Sequence, residues 1–312
     1  MNFQTLDLNL LRVFDRLMSE GSLTRAAETL AITQPAASHA LKRLNAALGE
    51  PLFTRSAFGM KPSARAQALW PQVRLALDNL QRALAPDSFD PTNESASFRI
   101  AMADATAALL APPLVRALEA AHSTRVNLRV LPLTTRDPRR LLRDGEADLA
   151  LGHFPEAIAA IDADGAQAAL RHLRLHETRY VCVMRRGHPL AEAPLTLDTY
   201  CAAQHLLVSF SGKPHGLVDQ ALAALGRQRR ILLTVNQFST AGQVVTQSDL
   251  LTVLPMSFIV ATGTQGQVLT RPLPFELAPV SVQMLWPVRQ DADPAQRWLR
   301  GLVLQAAGVT RV

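Results

Sequence analysis

Between Thr33 and Arg43 the sequence reads TQPAASHALKR. Gln34, Ser38, His39, Lys42 and Arg43 fall along one side of a helix drawn through this stretch. Amides and hydroxyls of this kind read base edges in the DNA major groove, and cations hold phosphates. The opposite side carries Ala36, Ala40, Leu41 and Leu44, which are expected to be buried. Thr33 is placed to cap the helix by accepting an unpaired first-turn N–H. Pro35 fits that turn, where its missing N–H costs nothing. Just before it, Leu23 to Leu30 has Ala26, Ala27 and Leu30 at helical spacing, with Ala31 and Ile32 as the turn. Two short helices with an alanine-rich contact make a helix-turn-helix whose second helix is the reader. Gln34, Ser38 and His39 are expected to meet bases. Arg25, Thr33, Lys42, Arg43 and Arg55 are expected to meet phosphates, with Pro35 at the start of the reader. The alternative is an ordinary helical hairpin with a solvated outer face.

Other residues capable of chemistry are scattered rather than clustered. His172 and His176 are four apart in a strand-like run, which separates their side chains by about 13 Å, too far to share a metal. No HExxH, CxxC or G-x-S-x-G is present. Ser209-Phe210-Ser211-Gly212-Lys213 has the outline of a phosphate loop, but Pro214 stands where a Ser or Thr is needed. Cys182 lies in the apolar run RYVCVM, and with Cys201 makes too few cysteines for a disulfide framework. The chain is therefore expected not to be an enzyme and to carry no metal or cofactor.

The reader needs elements to hold it. Asn2 to Glu20 reads as a helix with Leu10, Leu11, Val13, Phe14, Leu17 and Met18 as its apolar stripe, ended by Gly21. Leu52 to Arg55 and Phe58 to Lys61 read as a two-stranded wing. Cations outnumber anions over residues 1–65. Ser63 is a plausible cap for the next helix, in which Leu69, Val73, Leu77, Leu80 and Leu84 recur with Ala76 at three and four residues. Pro71 is expected to kink it. Such a stripe packs either on a partner helix or within its own chain. Residues 86–97 (PDSFDPTNESAS) then break the pattern as a hinge.

From Phe98 strands and helices alternate, which argues for an α/β fold with mainly parallel strands. The expected division is 1–61 for the helix-turn-helix and wing, 62–86 for the linker helix, 87–97 for the hinge and 98–312 for an α/β domain. That domain is expected in two lobes, 98–167 with 268–312, and 168–267. A cleft between them is expected at the carboxyl ends of the strands. Asp104, Ala105, Thr106, Leu133, Thr134, His153 and Phe154 would line it from the first lobe. Ser209, Phe210, Phe238, Ser239 and Thr240 would line it from the second. Helix starts there suit an anionic or carbonyl group, and Phe154, Phe210 and Phe238 suit stacking on a ring. The alternative for each Ser or Thr is a plain helix cap, and for each Phe a place in the core.

LDLNLLRVF followed by GSLTRAAETLAITQPAASHALKRLNAALGEPLF resembles the winged helix-turn-helix of LysR-type transcriptional regulators. The order carries the resemblance: a helix, then GS-x-T-x-AA, a TQPA-x-S reader, LG and LF-x-R. The remainder looks like the same family's effector-binding domain, which is similar to periplasmic solute-binding proteins. DLALG, RYVCVMRRGHPL and DADPAQRWLR resemble the branch answering to aromatic compounds. The resemblance implies a regulator that binds double-stranded DNA and a small aromatic or carboxylate effector. It implies linker helices pairing through Leu69, Val73, Leu77, Leu80 and Leu84, a homodimer and then a homotetramer on an inverted repeat, and RNA polymerase as a further partner. Rival readings are a constitutive regulator without an effector and a solute-binding protein with an appended helical domain.

Composition is compatible with this reading. The chain has 312 residues, enough for two or three domains, and at 48% apolar and 19% charged it is balanced as globular proteins are. A net charge of +6 suits a polyanionic partner. The start lacks the basic and apolar pattern of an export signal, and no apolar run approaches a membrane span, so a cytoplasmic location is expected.

Overall fold

The computed structural model describes residues 6–56, 59–84, 88–133, 137–209, 212 and 214–309. The chain divides into an N-terminal unit, 1–86 with 144–146, and a C-terminal unit made of 87–143 and 147–312.

The N-terminal unit holds α1 (Asn9–Glu20), α2 (Leu23–Thr29), α3 (Gln34–Leu48), the strands β1 (Phe53–Ser56) and β2 (Gly59–Pro62), and α4 (Ala64–Leu84). The first helix starts at Asn9, not Asn2. Asp7 accepts the Asn9 N–H at 3.0 Å and so opens the helix there, while Asn2 to Thr5 lie outside the described residues. Gly21 ends α1 in the left-handed conformation (φ 64°), its N–H bonded to Leu17 O at 2.9 Å. Phe14, Leu17, Leu44 and Leu52 are fully buried and form the centre of this unit. Phe14 meets Phe53 edge to face at 5.9 Å. β1 and β2 pair antiparallel from Phe53–Pro62 to Ser56–Gly59. Met60 N–H reaches back to Gly21 O at 3.0 Å, and a Cβ at Gly59 (φ 117°) would lie 2.7 Å from that carbonyl. The wing is therefore pinned to the end of α1 at a position that only glycine fits.

The C-terminal unit opens with β3 (Ala96–Met102), α5 (Asp104–Ala120), β4 (Val126–Pro132), α6 (Arg139–Arg143), β5 (Leu149–Gly152) and α7 (Pro155–Asp164). It continues with β6 (Leu170–Thr178), β7 (Tyr180–Arg185), α8 (Leu197–Ala202), β8 (Gln204–Val208), α9 (Leu217–Ala224), β9 (Arg230–Val235) and α10 (Phe238–Thr246). β10 (Thr252–Pro255), a 3-10 segment Met256–Thr262, β11 (Val268–Pro272), β12 (Val280–Pro287) and α11 (Pro294–Ala306) complete it. Helix α7 is not evident from the sequence, because PEAIAAIDAD is short and its small alanines give only a weak apolar pattern.

Five strands form one sheet in the order β4-β3-β5-β12-β6. β3 lies parallel to β4 and β5, while β12 runs antiparallel to β5 and β6. A second sheet, β10-β7-β11, is antiparallel throughout, and β8-β9 form a parallel pair beside it. A bridge from His205 to Leu251 joins the two. The unit is thus mixed rather than mainly parallel.

The lobe boundaries also move. Leu170–Thr178, expected in the second lobe, is the edge strand of the five-stranded sheet. Val268–Pro272, expected in the first lobe, pairs with β7 in the second. The chain crosses near Arg179 and between Pro272 and Val280, about ten residues later than expected on each pass. Strand periodicity shows that a segment is a strand but not which sheet takes it. One hydrophobic core draws on both sheets, with Leu149 and Leu151 from the first and Val181 and Val183 from the second. A second core, around Leu142, Ala150 and Leu285, lies on the other face of the five-stranded sheet.

The stretch expected to be a hinge is held down from Phe89 onward. Phe89 packs on Phe98 and Trp298, with ring centres 6.4 and 5.4 Å away. The Asp90 carboxylate accepts from Thr92 Oγ1 at 2.6 Å and Asn93 Nδ2 at 2.7 Å. These bonds, the Thr92 hydroxyl first, hold its pKa down at about 2. Among the described residues no helix is long and apolar enough to cross a membrane.

Candidate nucleic-acid interface and effector site

Ser22 Oγ accepts the Arg25 N–H at 3.5 Å at the start of α2. Thr33 Oγ1 accepts the Ala36 N–H at 3.3 Å at the start of α3, and Pro35 sits in the first turn. The turn between them is tight. Ile32 N–H reaches Ala27 O at 3.0 Å, and Ala31 takes a positive φ of 53° to allow it. Ala26 and Ala27 on α2 meet Ala37, Leu41 and Leu44 on α3 in the buried seam. The seam uses Ala37, not the expected Ala36, which is exposed. Two adjacent alanines are indistinguishable by residue type, and the helix phase places Ala37 inward.

The outer face of α3 is as expected. Gln34, Pro35, Ser38, His39, Lys42 and Arg43 are all exposed, and Arg25 on α2 and Lys61 on the wing are exposed as well. Arg43 pairs with Asp7 at 3.3 Å, so a phosphate there would compete with a carboxylate of the same unit. The side chain of Arg55 lies outside the described residues. This leaves a row of amide, hydroxyl, imidazole and ammonium groups on a capped helix, which is the equipment for reading base edges between phosphate anchors.

α4 runs unbroken from Ala64 to Leu84, with Ser63 Oγ accepting the Ala66 N–H at 3.2 Å and Pro71 inside the helix. The leucine stripe expected to face a partner splits into two parts. Leu69, Val73 and Leu77 pack into the core of the N-terminal unit itself, because α4 lies against α1. Leu80 and Leu84 are 50% and 84% exposed. Asp15 on α1, which residue type alone does not single out, accepts the Trp70 indole N–H at 2.9 Å.

In the C-terminal unit Asp104, Leu133 and His153 follow parallel strands β3, β4 and β5 and so share one edge of the sheet. Asp104 is exposed and His153 is half-buried, its Nδ1 3.0 Å from Ser281 O. Ser209 is half-buried with its N–H on Val235 O at 2.8 Å, and Ser239 and Thr240 are exposed at the start of α10. That start has neither a side-chain cap nor an acid in its first turn. Four nominees belong to the cores instead. Ala105 and Leu133 are buried. Phe154 is 1% exposed and lies over Gly152, where a Cβ would come 2.8 Å from its ring. Phe238 packs edge to face on Phe258 at 5.8 Å. A ring next to a strand end is driven inward by the apolar area it buries. Thr106 is buried too, and Thr134 and Phe210 lie outside the described residues.

Sequence reading missed Ser281 and Gln283, because β12 reaches this edge from far along the chain. Gln283 Nε2 donates to Ser281 Oγ at 2.7 Å. Its Oε1 is buried with no hydrogen-bond partner among the described residues. The second lobe also buries Arg229, whose guanidinium donates to Asp219 at 2.8 Å and to the Tyr200 hydroxyl at 3.2 Å. His205 beside it is pushed down to about 4 by burial and by the Arg229 charge, and burial pushes Cys182 up to about 12. A hollow of about 560 Å³ lies near His188, Leu190, Gln204 and Leu250, away from the nominated strand ends.

Two family models match the chain. Residues 8–67 match the bacterial regulatory helix-turn-helix protein of the lysR family, and residues 92–308 match the LysR substrate binding domain. The chain belongs to the LysR family. This LysR-type protein is a DNA-binding transcriptional regulator with an effector-binding domain. It is 35% identical to the HTH-type transcriptional activator NagR of Ralstonia sp, over 98% of each chain. It is 33% identical to the HTH-type transcriptional activator NahR of Pseudomonas putida, over 97% of this chain and 98% of that one. Among solved structures, a probable transcriptional regulator of Pseudomonas aeruginosa superposes with a TM-score of 0.76 at 30% identity, covering 96% of this chain and 97% of the other.

Proposed function

We propose that this LysR-type regulator reads its operator with Gln34, Ser38 and His39 in the major groove and holds phosphates with Arg25, Thr33, Lys42, Arg43 and Arg55. The observation that carries this assignment is the exposed polar row of α3 behind the Thr33 cap. The chain acts in the cytoplasm as a homotetramer on an inverted repeat, and RNA polymerase is its partner at the promoter. Leu80 and Leu84 support pairing of linker helices, since large apolar side chains so exposed favour cover.

The effector is a small aromatic or carboxylate molecule bound at the strand ends of the C-terminal unit. Asp104, His153, Ser209, Ser239 and Thr240 are its accessible contacts, and the uncapped start of α10 suits an anionic group. The aromatic class rests on the branch resemblance of DLALG and RYVCVMRRGHPL. A regulator needing no effector is the second reading, favoured by the packing of Phe154, Phe238 and Leu133 into cores.

Titrating the full chain onto DNA upstream of its own gene, against a shuffled duplex over a salt series, tests the reader. Tight binding to the native duplex, with log K falling linearly in log salt, is expected. Equal binding to both duplexes would refute it. Thermal shift with benzoate and related aromatic acids tests the effector, and no shift with any of them would favour the second reading.

A further inference from the structure

Asp15 is 9% exposed, in the middle of α1, and two side chains of α4, Trp70 and Arg74, reach it. The Trp70 indole N–H donates to its Oδ1 at 2.9 Å. The Arg74 guanidinium, itself 8% exposed, stands 3.7 Å from the same oxygen and 5.0 Å above the Trp70 ring. Trp70 and Arg74 lie on either side of Pro71. That proline has no N–H to give the Gln67 carbonyl, so the helix lacks a hydrogen bond where the two side chains grip.

Apolar packing of Leu69, Val73 and Leu77 holds α4 against α1, but such packing tolerates small rotations and slides. A buried carboxylate held by an indole hydrogen bond and a neighbouring guanidinium does not, because a shift leaves a desolvated carboxylate unmet. Leu80 and Leu84 continue beyond the clamp on the exposed part of the same helix. The direction in which they leave the reader domain is therefore set at Asp15.

We propose that the Asp15–Trp70–Arg74 cluster is a specificity determinant for operator spacing: it braces α4 across Pro71 and so fixes the separation of two reader helices in a dimer. This rests on the reading above that α4 pairs with a second copy. Asp15, Trp70 and Arg74 are positioning residues that touch no base.

The experiment uses the full chain and duplexes carrying two copies of a half-site that the unaltered protein has selected from random DNA. The gap between copies is stepped by single base pairs through one helical turn, about 10 base pairs. The unaltered protein is expected to prefer one gap, losing about tenfold or more half a turn away, since a rigid pair cannot engage both copies there. Trp70→Phe, which keeps the ring in the core but removes the N–H, and Asp15→Asn are expected to bind neighbouring gaps within about threefold while binding a single half-site as before. Trp70→Phe decides the matter where Asp15→Asn does not fold by circular dichroism. Unchanged gap preference in folded Trp70→Phe would overturn the proposal. An unaltered protein with no preferred gap would instead overturn the pairing of α4 on which it rests.

Discussion

Gln34 and Ser38 stand one helical turn apart on α3, exposed and backed by the buried Ala37 and Leu41. Gln34→Ala with Ser38→Ala is expected to abolish discrimination between operator and shuffled DNA, each good base contact being worth about 1–3 kcal/mol. Lys42→Ala is expected to weaken both duplexes alike and to lower the salt slope by about one. Anisotropy titrations at several salt concentrations read both effects. His205 allows a prediction of another kind. Its Nε2 donates to Tyr200 O at 2.8 Å, leaving Nδ1 buried without a partner among the described residues. Its pKa is about 4 in the folded chain against 6.5 for an ordinary histidine, so the unfolded chain binds the proton first. The stability that neutral His205 contributes is whole above pH 6.5 and is lost as pH falls towards about 4, up to about 3 kcal/mol. Melting curves across that window are expected to flatten in His205→Gln. The reader face was legible because polar type and helical period coincide there. Asp15 was not, because one acid in an apolar stripe looks the same whether it meets solvent or an indole.

At the scale of elements, α4 divides between Leu77 and Leu80 into an inward and an outward part. Leu80→Asp with Leu84→Asp is expected to shift sedimentation towards smaller assemblies. Leu44→Ala, at a fully buried position on α3, is expected to cost about 2–5 kcal/mol and to lower DNA binding through unfolding alone. Helices and strands were largely readable from the sequence, from the Thr33 cap to the start of α11 at Pro294. Their partners were less so. LRHLRLHET reads as a strand on its own, yet nothing in it says that it pairs with VSVQMLWP a hundred residues on rather than with its neighbour β7. Non-local pairing is decided by what fits across the sheet, which no local pattern records.

For the whole molecule, the residues proposed to meet the effector separate into groups that hold the fold and groups that face outward. Phe154→Ala is expected to lower stability by about 3–5 kcal/mol, since its ring fills the space above Gly152. Ser239→Ala with Thr240→Ala is expected to leave melting unmoved but to reduce the shift produced by an aromatic acid. The strand ends were legible as an edge from the βαβ pattern, whereas Gln283 and Ser281 were hidden by the long path of β12. That path bears on how the protein is made. β12 is inserted between β5 and β6, with both of which it pairs, so neither has its full set of neighbours until residues 280–287 leave the ribosome. The reader unit and the β10-β7-β11 sheet precede it in synthesis and can close first. A nascent chain stalled before Val280 would display two bare strand edges, the template from which aggregation starts, and its first lobe would be the part of the protein most in need of a chaperone.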